Sequence, residues 1–295
     1  MFGLYFGKYL VEISKISQEQ YIDLIKQQKN TRAKLGVIAV AEKLLTTKQA
    51  EEINNLQKIM DKRFGDIAIE KGYLLAEEVA HLLNLQGNPY LQFVQVCTDS
   101  NILTLEEIVI LLENFKAEYG LSDSDLDALK SGDIDRIIPV FVTKNSSLCY
   151  DCIGLNIRNI VRFINNNIML KKAYAVKSYK YDALSCQRMN GDHNLFVGFA
   201  GVGNNLVEIA GPFARENFDC MDEDAFDSVC EFINCNNGLF ASELSHNDIH
   251  IDMTPPLFYT NGKLASEDDI CVVPIIINDK QVDLLVAVDS IVDIA

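Results

Sequence analysis

The sequence predicts two units of different class: a mostly helical N-terminal part built from recurring segments, and an α/β (α+β) C-terminal part whose sheet is largely antiparallel. Three observations carry this. Similar segments recur at nearly constant spacing along the first part. From about residue 145, helical periodicity alternates with strand-like runs. The chain has 295 residues, long enough for two separate cores. The boundaries read as 1–118 for the recurring segments, 119–144 for a helical connector and 145–295 for the second unit.

Composition narrows the function. Hydrophobic residues make up 48% and charged residues 23%, a globular balance. A net charge of −16 argues against DNA as a partner, because a duplex binder needs a basic stripe to displace counterions. No apolar run reaches the roughly 18–20 residues of a membrane span, so no membrane insertion is expected. The opening MFGLYFGKYL lacks a basic leader and a small-residue cleavage site. A cytoplasmic protein is therefore expected, with its eight scattered cysteines as free thiols.

In the first part, Phe6-Gly7, Leu35-Gly36 and Phe64-Gly65 each open an apolar run, and Leu91 opens a decayed fourth. Each opening leads into a short amphipathic helix, for which Ser17, Thr47 and Thr104 fit as caps. Such helices are too short to stand alone and must stack. Leu121-Ser122-Asp123-Ser124-Asp125 begins a connector helix, Gly132 breaks it, and Pro139 limits the next.

The third segment combines Arg63-Phe64-Gly65 with Gly72, Leu74, Val79, Leu82, Leu83 and Gln86. It resembles the R-L-G-x-x-L-V-x-x-G repeat in the N-terminal domain of type II secretion and pilus ATPases, some of which bind cyclic di-GMP. The resemblance implies Arg63, Gly65 and Gly72, with Lys34 and Gly36 of the second segment, as ligand contacts. Lys34 stands where the family has Arg and Lys43 where it has Gly; Tyr5 and Ser14 hold those places in the first segment. These departures favour structural or partner-docking segments over a nucleotide site.

In the second part, residues 153–169 read as a helix, Tyr174–Tyr179 and Leu195–Phe199 as strands, and Leu206–Ala214 as a helix interrupted by Pro212. A helix follows at 222–236, then strands at 247–253, Val272–Ile277 and Val282–Val288, the last two flanking an Asn278-Asp279 turn. On the helix at 222–236, Asp227, Glu231 and Asn234 are spaced i, i+4, i+7 and share a sector of about 60°. Phe226, Val229 and Ile233 point the other way, towards the core. Spacing alone describes a solvated polar face. The run Asn236-Asn237-Gly238 suggests that the helix ends just past Asn234.

Asp227-Ser-Val-Cys-Glu231-Phe-Ile-Asn234, followed by Asn237-Gly238-Leu239-Phe240 and Pro255-Pro256, resembles the signature of the CheC/CheX/FliY family. That family dephosphorylates the chemotaxis response regulator CheY. The resemblance implies a CheX-like fold for 145–295 and one active face, since Asp151 is followed by Leu155 and Arg158 in place of Glu and Asn. It implies Asn234 as the residue that positions the attacking water, Glu231 as its catalytic companion, and Asp227 and Asn237 at the partner interface. The partner would be a phosphorylated CheY-like regulator that supplies its own Mg2+, with no cofactor and no metal in this chain. A homodimer through sheet edges is also allowed. The alternative is a non-catalytic signalling adaptor or a cyclic di-GMP-responsive binding protein. Cys149-x-x-Cys152 lacks a second ligand pair for zinc. His246, Asp248, His250 and Asp252 read as the outward face of a strand.

Overall fold

The computed structural model describes residues 1–144 and 146–295. The chain forms two compact units, Met1–Asp133 and Ile134–Ala295.

The first unit consists of helix pairs: α1 (Phe2–Glu12) with α2 (Gln18–Gln28), α3 (Leu35–Ala41) with α4 (Thr47–Gln57), α5 (Phe64–Glu70) with α6 (Ala76–Asn84), and α7 (Pro89–Asp99) with α8 (Leu105–Glu118). Helix α9 (Asp123–Ser131) closes the unit. The joint within each pair is a left-handed residue: Ser14, Lys43, Gly72 and Asn101, each 29 residues after the last. There the chain reverses as the amides of Lys15, Leu44, Tyr73 and Ile102 donate back to the carbonyls of Leu10, Ala39, Ala68 and Cys97, the bond pattern of a left-handed helix end. Three residues later comes the N-cap of the second helix, at Ser17, Thr46, Leu75 and Thr104. Thr46, not Thr47, is thus the cap, its hydroxyl accepting from the amide of Gln49. The same step moves the fourth opening from Leu91 to Phe93. Between joint and cap, Ile16, Leu45, Leu74 and Leu103 are all buried, which is why the turn needs one apolar residue at that place.

The second unit begins with α10 (Ile134–Phe141), which runs through Pro139, and α11 (Ser147–Asn159), extended by a π turn over Ile160–Ile164. Then come β1 (Met169–Leu170), β2 (Tyr174–Gly191), β3 (Leu195–Gly201), α12 (Val207–Ala214), α13 (Glu223–Ser245), β4 (Ile251–Met253), β5 (Leu257–Ile277), β6 (Lys280–Val288) and β7 (Val292–Ile294). All strand pairings in the sheet are antiparallel. Strands β2, β3, β6 and β5 pair in a cycle, so the sheet curls around one apolar cluster that includes Leu184, Phe196, Ile270, Val272 and Leu285. The β5–β6 turn places Asn278 at φ 47 and Asp279 at φ 65, the two left-handed residues a tight hairpin requires.

Several expected boundaries move. The helix expected over 153–169 starts at Ser147 and ends its π turn at Ile164. The strand expected over 247–253 shrinks to Ile251–Met253, because Asp248 takes φ 59. Strand β5 begins at Leu257, far ahead of Val272, since its polar first half is held by backbone pairing to β2.

Candidate functional site

Helix α13 carries the candidate site. Its N-terminus is capped by Asp222, whose Oδ1 accepts from the amide of Ala225 at 3.0 Å, with Glu223 and Asp224 in the first turn. Carboxylates there oppose the positive end of the helix dipole. Phe226, Val229, Phe232, Ile233 and Phe240 are buried, and Phe232 packs on Phe199 of β3 with ring centroids 5.7 Å apart. The opposite stripe holds Asp227 and Glu231, both exposed, then Asn234, half-buried.

The helix continues through Asn236-Asn237-Gly238 to Ser245, so Asn234 lies mid-helix and not near a C-cap. Asparagine stops helices when its side chain competes for nearby backbone. Here both amides have distant partners instead. Asn236 Nδ2 donates to Asn156 Oδ1 at 3.0 Å, and its Oδ1 accepts from Asn159 Nδ2 at 2.8 Å. These three buried amides join α13 to α11. Asn237 donates from Nδ2 to Gln187 Oε1 at 2.8 Å.

Gln187, on β2 and 2% exposed, is the residue that sequence reading missed. Its Nε2 donates to Asn234 Oδ1 at 2.8 Å and to the Thr254 carbonyl at 2.7 Å. Asn234 Nδ2 makes no hydrogen bond among the described residues, so the site presents an amide donor next to the Glu231 carboxylate. The available signal was the alternation of β2: Leu184 and Cys186 enter the sheet's apolar cluster, which turns Ser185 and Gln187 to the other face, an odd place for a buried glutamine.

Beside Glu231 lies a groove of about 470 Å3 lined by Asp227, Cys230, Glu231, Pro256, Leu257 and Phe258. Its wall is braced by Phe226 and Phe258, stacked at 4.6 Å and 10°. Leu257 remains 53% exposed.

The structure places the other expected residues differently. Asn237 is fully buried and cannot touch a partner; its position on the core side of α13 sends it to Gln187. Gly36 and Gly65 are packing positions: a Cβ would lie 3.1 Å from Phe64 at the first and 2.7 Å from Val79 at the second. Gly72 is the left-handed joint described above. Lys34 and Arg63 stand exposed at the starts of α3 and α5, and Lys34 Nζ bonds Asp99 at 2.8 Å. Cys149 hydrogen-bonds Cys271 of β5 rather than Cys152; that contact and then burial push the Cys149 thiol pKa well up, while the same contact holds Cys271 below its ordinary value against the effect of burial. All eight cysteines are free. His246 caps the end of α13 and only Asp252 reaches β4, so the four alternating residues do not share a strand face. No group of three or more His, Cys, Asp or Glu side chains is placed to hold a metal ion among the described residues. No helix among them is long and apolar enough to cross a membrane.

Residues 183–277 match the family model of the chemotaxis phosphatase CheX. The match takes in Gln187, α12, all of α13, the second half of β2 and strands β3, β4 and β5. Among solved structures, a CheC-like superfamily protein from Shewanella sp. PV-4 is 18% identical, with 49% of this chain and 98% of that chain covered at a TM-score of 0.44. CheX from Vibrio vulnificus is 13% identical, with 48% and 99% covered at 0.42. A complex of CheX with CheY, BeF3 and Mg2+ from Borrelia burgdorferi is 16% identical, with 46% and 94% covered at 0.36. No curated relative matches. The CheX-like stretch thus contains every residue of the polar stripe on α13.

Proposed function

We propose that the second unit is a phosphatase for the aspartyl phosphate of a CheY-like response regulator. The observation that carries this reading is Asn234, mid-helix on α13, with its amide nitrogen unpaired and Glu231 exposed less than one turn away. The partial CheX match supports it. An acyl phosphate on a receiver domain is already polarised by that domain's own Mg2+ and lysine; what hydrolysis lacks is a water held in line. The Asn234 amide can hold one without changing charge with pH, the task of a water-positioning glutamine in GTPases. Fixing the nucleophile lowers a barrier by on the order of several kcal/mol. Glu231 would pair with the regulator's lysine and set the approach, with Asp227 at the edge. The chain's own residues then only orient and dock; no covalent step on this protein is needed.

For the first unit we propose a docking role over a nucleotide site. The groove of about 450 Å3 between its helices has Glu51, Glu106 and Glu107 and no Lys or Arg among its lining residues. Carboxylates repel the phosphates of a cyclic dinucleotide.

The test is the decay rate of a phosphorylated CheY-like receiver with and without the protein. Acceleration by wild type, lost in Asn234→Ala, is the expected result. No acceleration, with the receiver still bound, would favour the adaptor reading. A loss of receiver affinity in Glu231→Ala, with turnover at saturation preserved, would support the docking role of Glu231.

A further inference from the structure

We infer that Gln187 is a positioning residue that dictates which end of the Asn234 amide faces outward. This deepens the phosphatase reading and rests on it for its catalytic consequence, although the geometric part stands alone.

The argument starts from a group with only one possible role. The Thr254 carbonyl can accept and never donate, so the Gln187 side-chain atom 2.7 Å from it must be the nitrogen. That fixes the Gln187 amide against a flip. Its second N–H then points at Asn234, 2.8 Å away. Asn234 must answer with its oxygen, and its NH2 is turned outward. On the far side, Gln187 Oε1 must receive a donor, which Asn237 Nδ2 supplies at 2.8 Å. Asn237 in turn is left with a buried Oδ1 that has no partner among the described residues. A chain of amides that accepts an unpaired oxygen at one end, to hold a fixed orientation at the other, is a costly arrangement for structure alone. Its output is a donor of set direction at the one place on the exposed stripe where a reacting water would sit.

Asn and Gln amides read alike by shape, and only the backbone acceptor breaks the tie here. Gln187→Met keeps the length and the unbranched stem but removes both donors. Gln187→Glu keeps the shape and reverses the pattern: a carboxylate cannot donate to Asn234 Oδ1, and it invites the Asn234 NH2 inward.

The first measurement needs no variant. In the wild type, relaxation of the Asn234 side-chain NH2 by 15N NMR is expected to report an ordered group, unlike exposed Asn54. An Asn234 amide as mobile as that of Asn54 would overturn the inference, whatever the protein's activity proves to be. In Gln187→Met the Asn234 amide is expected to become mobile. Turnover of the phosphorylated receiver should fall roughly tenfold to a hundredfold with KM unchanged, the scale of a small misplacement of a reacting group. Full turnover in Gln187→Met would make Gln187 merely structural and sink the proposal, and so would a loss of turnover with the Asn234 amide still as ordered as in the wild type. Wild-type failure to accelerate dephosphorylation sinks the phosphatase reading alone, because the amide dynamics remain measurable.

Discussion

The two units use polar residues in opposite ways. In the first, the same backbone conformation recurs at Ser14, Lys43, Gly72 and Asn101, with four different side chains. The turn needs a φ value, and whatever side chain occupies the place tolerates it. In the second, Asn234, Asn236 and Asn237 are near neighbours of a single type, yet one faces the surface, one ties α13 to α11 and one holds Gln187. There the side-chain partner matters and the backbone is ordinary helix. Where a residue serves the backbone, several side chains fill the same place; where it serves another side chain, the partner's chemistry sets what is needed.

Substitutions can break or sharpen this contrast. The largest effect is expected for Asn234→Ala, which should return receiver dephosphorylation to its spontaneous rate, with a loss of stability of about 1 kcal/mol because one Gln187 N–H loses its acceptor. Asn236→Leu should leave the Asn159 donor and the Asn156 acceptor buried and unpaired, lowering stability by about 2–4 kcal/mol in a denaturant titration. Gly65→Ala brings a methyl against Val79 and should cost about 1–3 kcal/mol through overpacking. The joints should respond with opposite signs: Lys43→Gly raises stability by about 1 kcal/mol and Gly72→Ala lowers it by a similar amount, because each changes the cost of a left-handed residue. Equal signs at the two positions would show that the side chains, not the backbone, set those turns.

The smallest effect concerns Glu107. The amide of Thr104 first, then the Lys15 ammonium and the Thr104 hydroxyl, hold its carboxyl at about 2, below its ordinary 4.5. A carboxyl depressed on folding contributes stability above its ordinary value and loses it as pH falls towards the folded one. Wild type should therefore show a slight added loss of stability between about pH 4.5 and 2 that is absent in Glu107→Gln. Partial exposure of Glu107 and its Lys15 partner to solvent keeps that slope shallow.

Much of the site was legible because helical geometry is local. Residues at i, i+4 and i+7 share a face whatever the rest of the chain does, so Asp227, Glu231 and Asn234 could be placed together. The strands at 195–199 and 282–288 were legible for a similar reason: each is a short apolar run between turn residues. Gln187 was not legible. It lies 47 residues from Asn234, and nothing in either segment announces a side-chain bond across β2 and α13. The end of α13 was misread for the same cause. Asn236-Asn237-Gly238 carries strong local stop signals, and partners on α11 and β2 override them. Asn237, expected at the partner interface on the family resemblance alone, lies instead on the inner side of the continuing helix, where it reaches Gln187. The polar half of β5 was equally hidden, because its strand character comes from its ladder with β2 and not from its own composition.

The stacked rings of Phe226 and Phe258 bear on how readily a partner could settle against α13. Association is usually opposed by the freezing of loose aromatic and aliphatic groups on both surfaces. Here the Phe226 and Phe258 rings are packed on each other before any encounter, so the ordering left for a visitor to impose falls on exposed Leu257 and the carboxylates of Asp227 and Glu231.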